Sequence, residues 1–407
     1  MVFQLFIVYF IVIAQYLKFL GLQTKIYSVV ENDGCYEYNA SSNALSKVPA
    51  ATIANQIRTQ TVDYSIDPDK KFVPSNYLVP PFNSSEKFLN GEYFLTPSQQ
   101  RIKSEVQTTL SAYPFAYFCL SANAGTGKTL LLYDMAKEQI SQNEQVLIIH
   151  CGKLNEGHLR LRDSHGWNII PIKRISEFSV SSYLSKCSMV FIDEAQRIRP
   201  DQLAFILETS KEKAIPIIFS YDTKQYLRSN EGLDLSDYLG IHYPEVHSVS
   251  LRLTNKIRTN KEMASFITNL FHIGKSADHL DYECVTIDYI ENLLDLAKYI
   301  EFLKESGWTA LTYTTAQYGS DPYNELICVG NQNAHDVIGQ EFPKIVFVMN
   351  NNFRYDASGK LTAGYSYYSS KGMLYQIVTR VIDELKIVVF KNPELYLKLL
   401  EIKSLGN

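Results

Sequence analysis

The sequence predicts an α/β protein built on parallel sheets, and three features point there. A short apolar run, Ala116-Tyr-Phe-Cys-Leu120, enters the Gly-rich stretch Ser121-Ala-Asn-Ala-Gly-Thr-Gly-Lys-Thr129, and residues 130–139 then follow with helical spacing. A second apolar run, Ser188-Met-Val-Phe-Ile192, ends on Asp193-Glu-Ala-Gln196. From Phe94 onward strand candidates alternate with helical patterns, at 117–121, 146–150, 189–192, 216–220 and 246–251, and again at 309–314, 326–329, 345–349 and 385–390. Strands that alternate with helices stack side by side in parallel.

The Gly-rich stretch reads as a phosphate-binding loop between strand and helix. From Ala122 the pattern is A-x-x-x-x-G-K-T, with Ala in place of the usual first Gly. Along Ala124, Gly125, Thr126 and Gly127 the two glycines let backbone N–H groups turn inward onto phosphate oxygens. Lys128 supplies a point charge, the Thr129 hydroxyl is placed to ligate Mg²⁺, and the helix adds the positive end of its dipole. The second run delivers two carboxylates to the carboxyl edge of a strand, where ligands sit in open α/β sheets. Asp193 is positioned to hold Mg²⁺ and Glu194 to deprotonate an attacking water. A glycine turn alone, or an acidic pair at a helix start alone, is a common structural device. Occurring together, they predict Mg²⁺-dependent nucleotide hydrolysis.

Composition bounds what else is possible. A chain of 407 residues exceeds one ordinary core and implies two or three domains. Its apolar fraction of 46% is that of a globular protein, and its net charge of −4 leaves no overall basic field, so nucleic acid would need a local groove. Six cysteines lie far apart with no C-x-x-C pair, which fits reduced thiols and a cytoplasmic location. His150, His158 and His165 have no Cys or carboxylate cluster beside them and read as core or surface histidines rather than metal ligands.

Residues 1–20 are strongly apolar and near the lower length limit of a membrane span, so they read either as an anchor or, as we favour, as part of an αβ unit with Gly21 capping a helix and a strand at 25–30. Residues 31–90 are polar, with turn signals at Asn32-Asp-Gly34 and Pro80-Pro81 and one helix pattern at 50–59.

Further motifs resemble those of superfamily 1 helicases, and most closely the Schlafen-group-3-like DNA/RNA helicase domain, over about residues 90–395. Leu95-Thr-Pro-Ser-Gln99 is similar to the Q motif, which implies that Gln99, or Gln100 as the alternative, reads the adenine edge. Phe219-Ser-Tyr-Asp-Thr-Lys-Gln225 resembles motif III, making Asp222 and Gln225 links between the γ-phosphate and a nucleic-acid groove. Leu253-Thr-Asn-Lys-Ile-Arg258 is similar to motif IV, with Arg258 reaching the phosphates. His335-Asp-Val-Ile-Gly-Gln-Glu-Phe342 resembles motif V through Gly339 and Glu341, and Leu374-Tyr-Gln-Ile-Val-Thr-Arg380 resembles motif VI, with Arg380 as arginine finger.

The resemblance implies that the nucleotide is ATP and that two RecA-like lobes, 91–252 and 253–407, close over it, with 1–90 as an N-terminal extension. The segment Cys151-Gly-Lys-Leu154 departs from the family pattern by lacking the Thr of motif Ia, and the spacing leaves little room for the insertions that processive helicases use on duplexes.

Single-stranded DNA or RNA is the expected partner. Tyr355, Tyr365, Tyr367, Tyr368 and Tyr375, with Lys360 and Lys371 among them, offer either stacking faces for bases or an ordinary exposed loop. A different reading makes the chain an ATP-gated switch in a larger assembly, with the N-terminal segment meeting a protein partner.

Overall fold

The computed structural model describes residues 25–30, 33–39, 44–59, 81–123, 125–222, 234–253, 261–276, 280–330 and 332–404. The apolar stretch 1–20 and the helix end at 16–21 lie outside these residues. Among the described residues no helix is long and apolar enough to cross a membrane. The chain divides into two compact units, one comprising 1–77 and 87–94, the other 78–86 and 95–407.

In the first unit, β1 (Ile26–Val30), β2 (Gly34–Asn39) and β3 (Ala44–Val48) form an antiparallel sheet in chain order, followed by the helix Ala50–Thr59. Strands β1 and β2 pair as a hairpin, and Gly34 of the turn signal adopts φ +115°, open to glycine and strained for other residues. Strands β2 and β3 were not legible as strands, because their short polar-rich runs show little apolar alternation.

The second unit holds two parallel sheets, each with its own apolar core. In lobe one β4 (Ala116–Ala122), β5 (Val146–His150), β6 (Ile169–Pro171), β7 (Met189–Asp193), β8 (Ile217–Tyr221) and β9 (His247–Leu253) stand in the order β6-β5-β7-β8-β4-β9. Strands β5, β7 and β8 are buried along their whole length, as near-continuous Val/Ile/Phe runs in a doubly covered parallel sheet must be. One strand, β8, separates the strand feeding the Gly-rich loop from the strand ending on Asp193, which is the RecA-like arrangement.

Lobe two is a parallel sheet of β10 (Val285–Ile290), β11 (Thr309–Thr312), β12 (Gln332–Asn333), β13 (Phe342–Met349) and β16 (Val381–Phe390), ordered β10-β16-β13-β11-β12, with a small hairpin of β14 (Phe353–Tyr355) and β15 (Leu361–Ala363). The α/β class with two RecA-like lobes and an N-terminal extension is therefore the observed architecture. One strand expectation is corrected. Residues 326–329 lie in a 3₁₀ helix, Asn324–Val329, where Leu326 and Val329 are buried and Ile327 is exposed. That three-residue repeat packs the segment against the helix Leu293–Glu305, and a four-residue apolar run carries no period long enough to tell helix from strand.

Candidate nucleotide-hydrolysis site

Lobe one brings its polar side chains to the carboxyl ends of its strands. Beyond β4, Gly125 and Gly127 take φ +73° and +78°, and Gly127 caps the helix Lys128–Ser141. Lys128 Nζ donates to the carbonyls of Ala122 and Asn123, both at 3.1 Å, and stands 3.5 Å from Asp222 Oδ2, just past β8. Thr126 is buried, its hydroxyl donating to Asn123 O at 2.9 Å. Ala124 lies outside the described residues.

Thr129 Oγ1 donates to Asp193 Oδ2 at 3.4 Å, while Asp193 Oδ1 is buried with no hydrogen-bond partner. A buried carboxylate oxygen without a donor is costly unless a cation meets it, so this pair fits Mg²⁺, which takes one or two protein oxygens and completes its shell with phosphates and water. Among the described residues no group of three or more His, Cys, Asp or Glu side chains could hold a metal ion. His150, at the end of β5, sets Nδ1 3.6 Å from Asp193 Oδ2. His150 and His158 are buried and His165 is exposed.

Glu194 follows β7 in the left-handed region, φ 57° and ψ 38°, a conformation that costs a non-glycine residue about 1–3 kcal/mol. Its buried carboxylate accepts from Gln196 Nε2 at 2.7 Å and lies 3.7 Å from Arg197 Nε. Burial pushes the Glu194 carboxyl up, but the positive charges of Arg197, Lys128 and Arg380 outweigh it and hold the group below its usual range. Gln196 also accepts the Asp222 backbone N–H at 3.1 Å, so one amide ties the end of β7 to the end of β8. Neither Gln196 nor Arg197 was singled out from the sequence. The only signal was their place beside Glu194.

Lobe two presents the amino ends of its strands to the same cleft. Glu341 precedes β13 and Arg380 precedes β16, and the parallel pairing of Phe342 with Val381 puts the two side by side. The Phe342 N–H donates to Arg380 O at 2.9 Å. Arg380 is buried, and its guanidinium, with Nε donating to Gln376 O at 3.3 Å, interacts electrostatically with Glu194, Glu341, Arg197 and Asp222. Burial lowers the Arg380 pKa, which the carboxylates only partly offset. Arg197 reaches across from lobe one to Gln376 Oε1 at 3.3 Å, and Lys153 pairs with Asp336 at 2.6 Å. Tyr375 belongs to the same contact. Burial pushes its hydroxyl up to about 12, with Asp222 adding to the rise and Arg380 opposing it.

Lys128, Thr129, Asp193, Glu194, Asp222, Glu341 and Arg380 thus come together, while Gln225 and Arg258 lie outside the described residues. Gln99 stands differently from its expected place at an adenine edge. Its side-chain oxygen accepts the Thr96 N–H at 2.8 Å in a capping box, and its amide donates to Thr126 O and Gly127 O at 3.3 and 3.2 Å. Fully buried, it clamps the Gly-rich loop to the start of the helix Pro97–Ala112, whereas Gln100 is partly exposed.

Residues 116–307 match the family model described as Schlafen group 3, DNA/RNA helicase domain. It is the family that the motifs resemble. No curated protein matches the chain. Among solved structures, the Pif1 helicase from Candida albicans is 10% identical, with a TM-score of 0.44, over 76% of this chain and 98% of that one. AMPPCP-bound DnaA from Aquifex aeolicus is 16% identical, with a TM-score of 0.29, over 48% of this chain and 57% of that one. Domain III of the Thermotoga maritima replication initiation protein DnaA is 16% identical, with a TM-score of 0.27, over 44% and 71%.

Proposed function

We propose that the chain is an Mg²⁺-dependent ATPase of superfamily 1 helicase type that couples hydrolysis to translocation along, or remodelling of, single-stranded DNA or RNA, with lobes at 91–252 and 253–407. The observation that carries this reading is that Arg380 of lobe two lies within electrostatic reach of Glu194 and Asp222 of lobe one. Turnover then depends on closure of the two lobes.

In this reading the 125–129 backbone and Lys128 bind the phosphates, and Thr129 with Asp193 hold the ion. Mg²⁺, when bound, neutralises phosphate charge. Glu194, kept ionised by its cationic neighbours, accepts the proton of the attacking water, and Gln196 holds the carboxylate in place. Arg380 stabilises the charge that builds in the transition state.

A basic cavity in lobe one supports the nucleic-acid part of this reading, since an acidic chain would need a local groove of this kind. Lys153, Arg162, Lys173 and Arg174 line a cavity of about 510 Å³ with Gly152, Leu154 and Pro171. The tyrosine stretch divides. Tyr365 and Tyr367 are 92% and 60% exposed and open to stacking, Tyr355 is tied to Leu270 O at 2.7 Å, and Tyr375 faces the cleft.

The decisive experiment is the steady-state ATPase rate alone, with single-stranded DNA and with single-stranded RNA, at low and moderate salt. A salt-sensitive rise with one polymer is expected. Basal turnover that neither polymer raises would favour the ATP-gated switch.

A further inference from the structure

Residues 81–86, which cluster with the second unit, reach both lobes. On lobe one the Phe82 ring stacks on His158 at 3.7 Å between centroids with planes 27° apart, and meets Tyr133 of the Lys128–Ser141 helix edge-on at 4.9 Å. Its backbone lies so close to Gly157 that a Cβ there would collide with Phe82. On lobe two, a Cβ at Gly339 would stand 3.1 Å from Phe82 Cε2, and the Asn83 side-chain amide donates to Glu341 O. Pro81 O accepts the buried Ser85 hydroxyl at 3.0 Å, which closes the segment into a turn and sets the directions of both side chains.

We propose that Phe82 and Asn83 form a latch across the lobes and act as positioning residues for the hydrolysis proposed above. The latch grips residues 339–341, and the 342–380 backbone hydrogen bond hangs Arg380 on that turn. Its seat in lobe one lies two rings from Asp193, since His158 is 4.3 Å from His150 and His150 Nδ1 is 3.6 Å from Asp193 Oδ2. A two-residue segment therefore sets how closely Arg380 approaches the lobe-one carboxylates. It contributes no atom to the phosphate-binding loop, so releasing it acts on the chemical step and spares nucleotide binding.

The test uses the full chain carrying Phe82→Ala with Asn83→Ala, and separately Gly157→Ala, which displaces the latch from lobe one without touching lobe two. Hydrogen exchange of backbone amides at 337–342 and 376–381 is expected to speed up roughly 10-fold in both, while β4, β5 and β7 keep their protection. The basal kcat is expected to fall roughly 10- to 100-fold with KM for ATP within about twofold of the parent. A purely structural role would lower the thermal midpoint and raise KM together with the loss of rate. Unchanged exchange at 337–342 in both proteins, or unchanged kcat in a parent that hydrolyses ATP, overturns the latch. A parent without ATPase activity overturns the hydrolysis reading alone, and the exchange measurement still decides the latch.

Discussion

Lobe one brings its chemistry to the carboxyl ends of its strands and lobe two to the amino ends, and the two ends differ in how much local sequence they need. In lobe one β4 must turn sharply into a helix, so the loop spends glycines at 125 and 127 and places Lys128 beside them. Likewise β7 runs straight into Asp193 and Glu194, an apolar run that ends in two carboxylates. In lobe two Glu341 and Arg380 are single residues ahead of ordinary strands, brought together by the register of β13 with β16. A group defined by its own loop leaves a motif, whereas one defined by its neighbour in a sheet leaves a letter.

The largest effect should come from lobe one. Lys128→Ala is expected to lower turnover about 100-fold or more with loss of nucleotide binding, and Glu194→Gln to abolish turnover while ATP stays bound. Fluorescent-nucleotide titration beside the ATPase assay separates the two. Normal hydrolysis by Glu194→Gln would remove the assigned base.

For lobe two the expected signature is the reverse, a loss of rate without loss of affinity. Arg380→Ala should cut kcat on the order of 10³-fold and leave nucleotide affinity within about threefold. Equal losses in both would mean that Arg380 holds the ground state and that the contrast between the lobes is not one of binding against chemistry.

Arg197 sharpens the comparison because it belongs to lobe one yet reaches Gln376 of lobe two. Arg197→Ala removes the leading positive charge that holds Glu194 down, so the Glu194 pKa rises. The acid side of the rate profile should then shift to higher pH, read from kcat/KM across pH 4 to 8. A profile that keeps its acid side in place would show that Lys128 and Arg380 suffice.

The smallest effect is one of stability. Burial holds His158 well below its usual pKa, with His150 adding to the depression, so the folded protein keeps the ring neutral where the unfolded chain takes up a proton. Stability should therefore fall as pH drops below about 6.5. His158→Phe keeps a ring against Phe82 and should reduce that slope by up to about 1.4 kcal/mol per pH unit, read from denaturant midpoints between pH 7 and 5.

The fold class was legible because buried parallel strands advertise themselves as Val/Ile/Phe runs, and the edge strand β10 could have been found from the alternation in Val285-Thr-Ile-Asp-Tyr-Ile290. The loop residues and the 193–194 pair were legible for the same local reason. Gln99 shows the opposite case. A glutamine in the right place pointed to adenine, yet its amide bonds to two loop carbonyls and its own helix cap. Gln196 and Arg197 showed only as neighbours of Glu194, and residues 82–83 only as part of a turn-rich stretch, since the contacts that matter, with Asp222, Gln376, His158 and Glu341, are made to other strands or to the other lobe.

What the sequence by itself determined is therefore whatever depends on neighbours along the chain: the α/β alternation, the glycine-bearing loop after β4 and the carboxylates at the end of β7. Only the tertiary structure decided which distant residues share the cleft, how the charges around Glu194 balance, and that residues 82–83 join lobe to lobe. Backbone conformation and burial periodicity are written into a few consecutive residues, whereas electrostatics and packing depend on distances through space that no short stretch of sequence encodes.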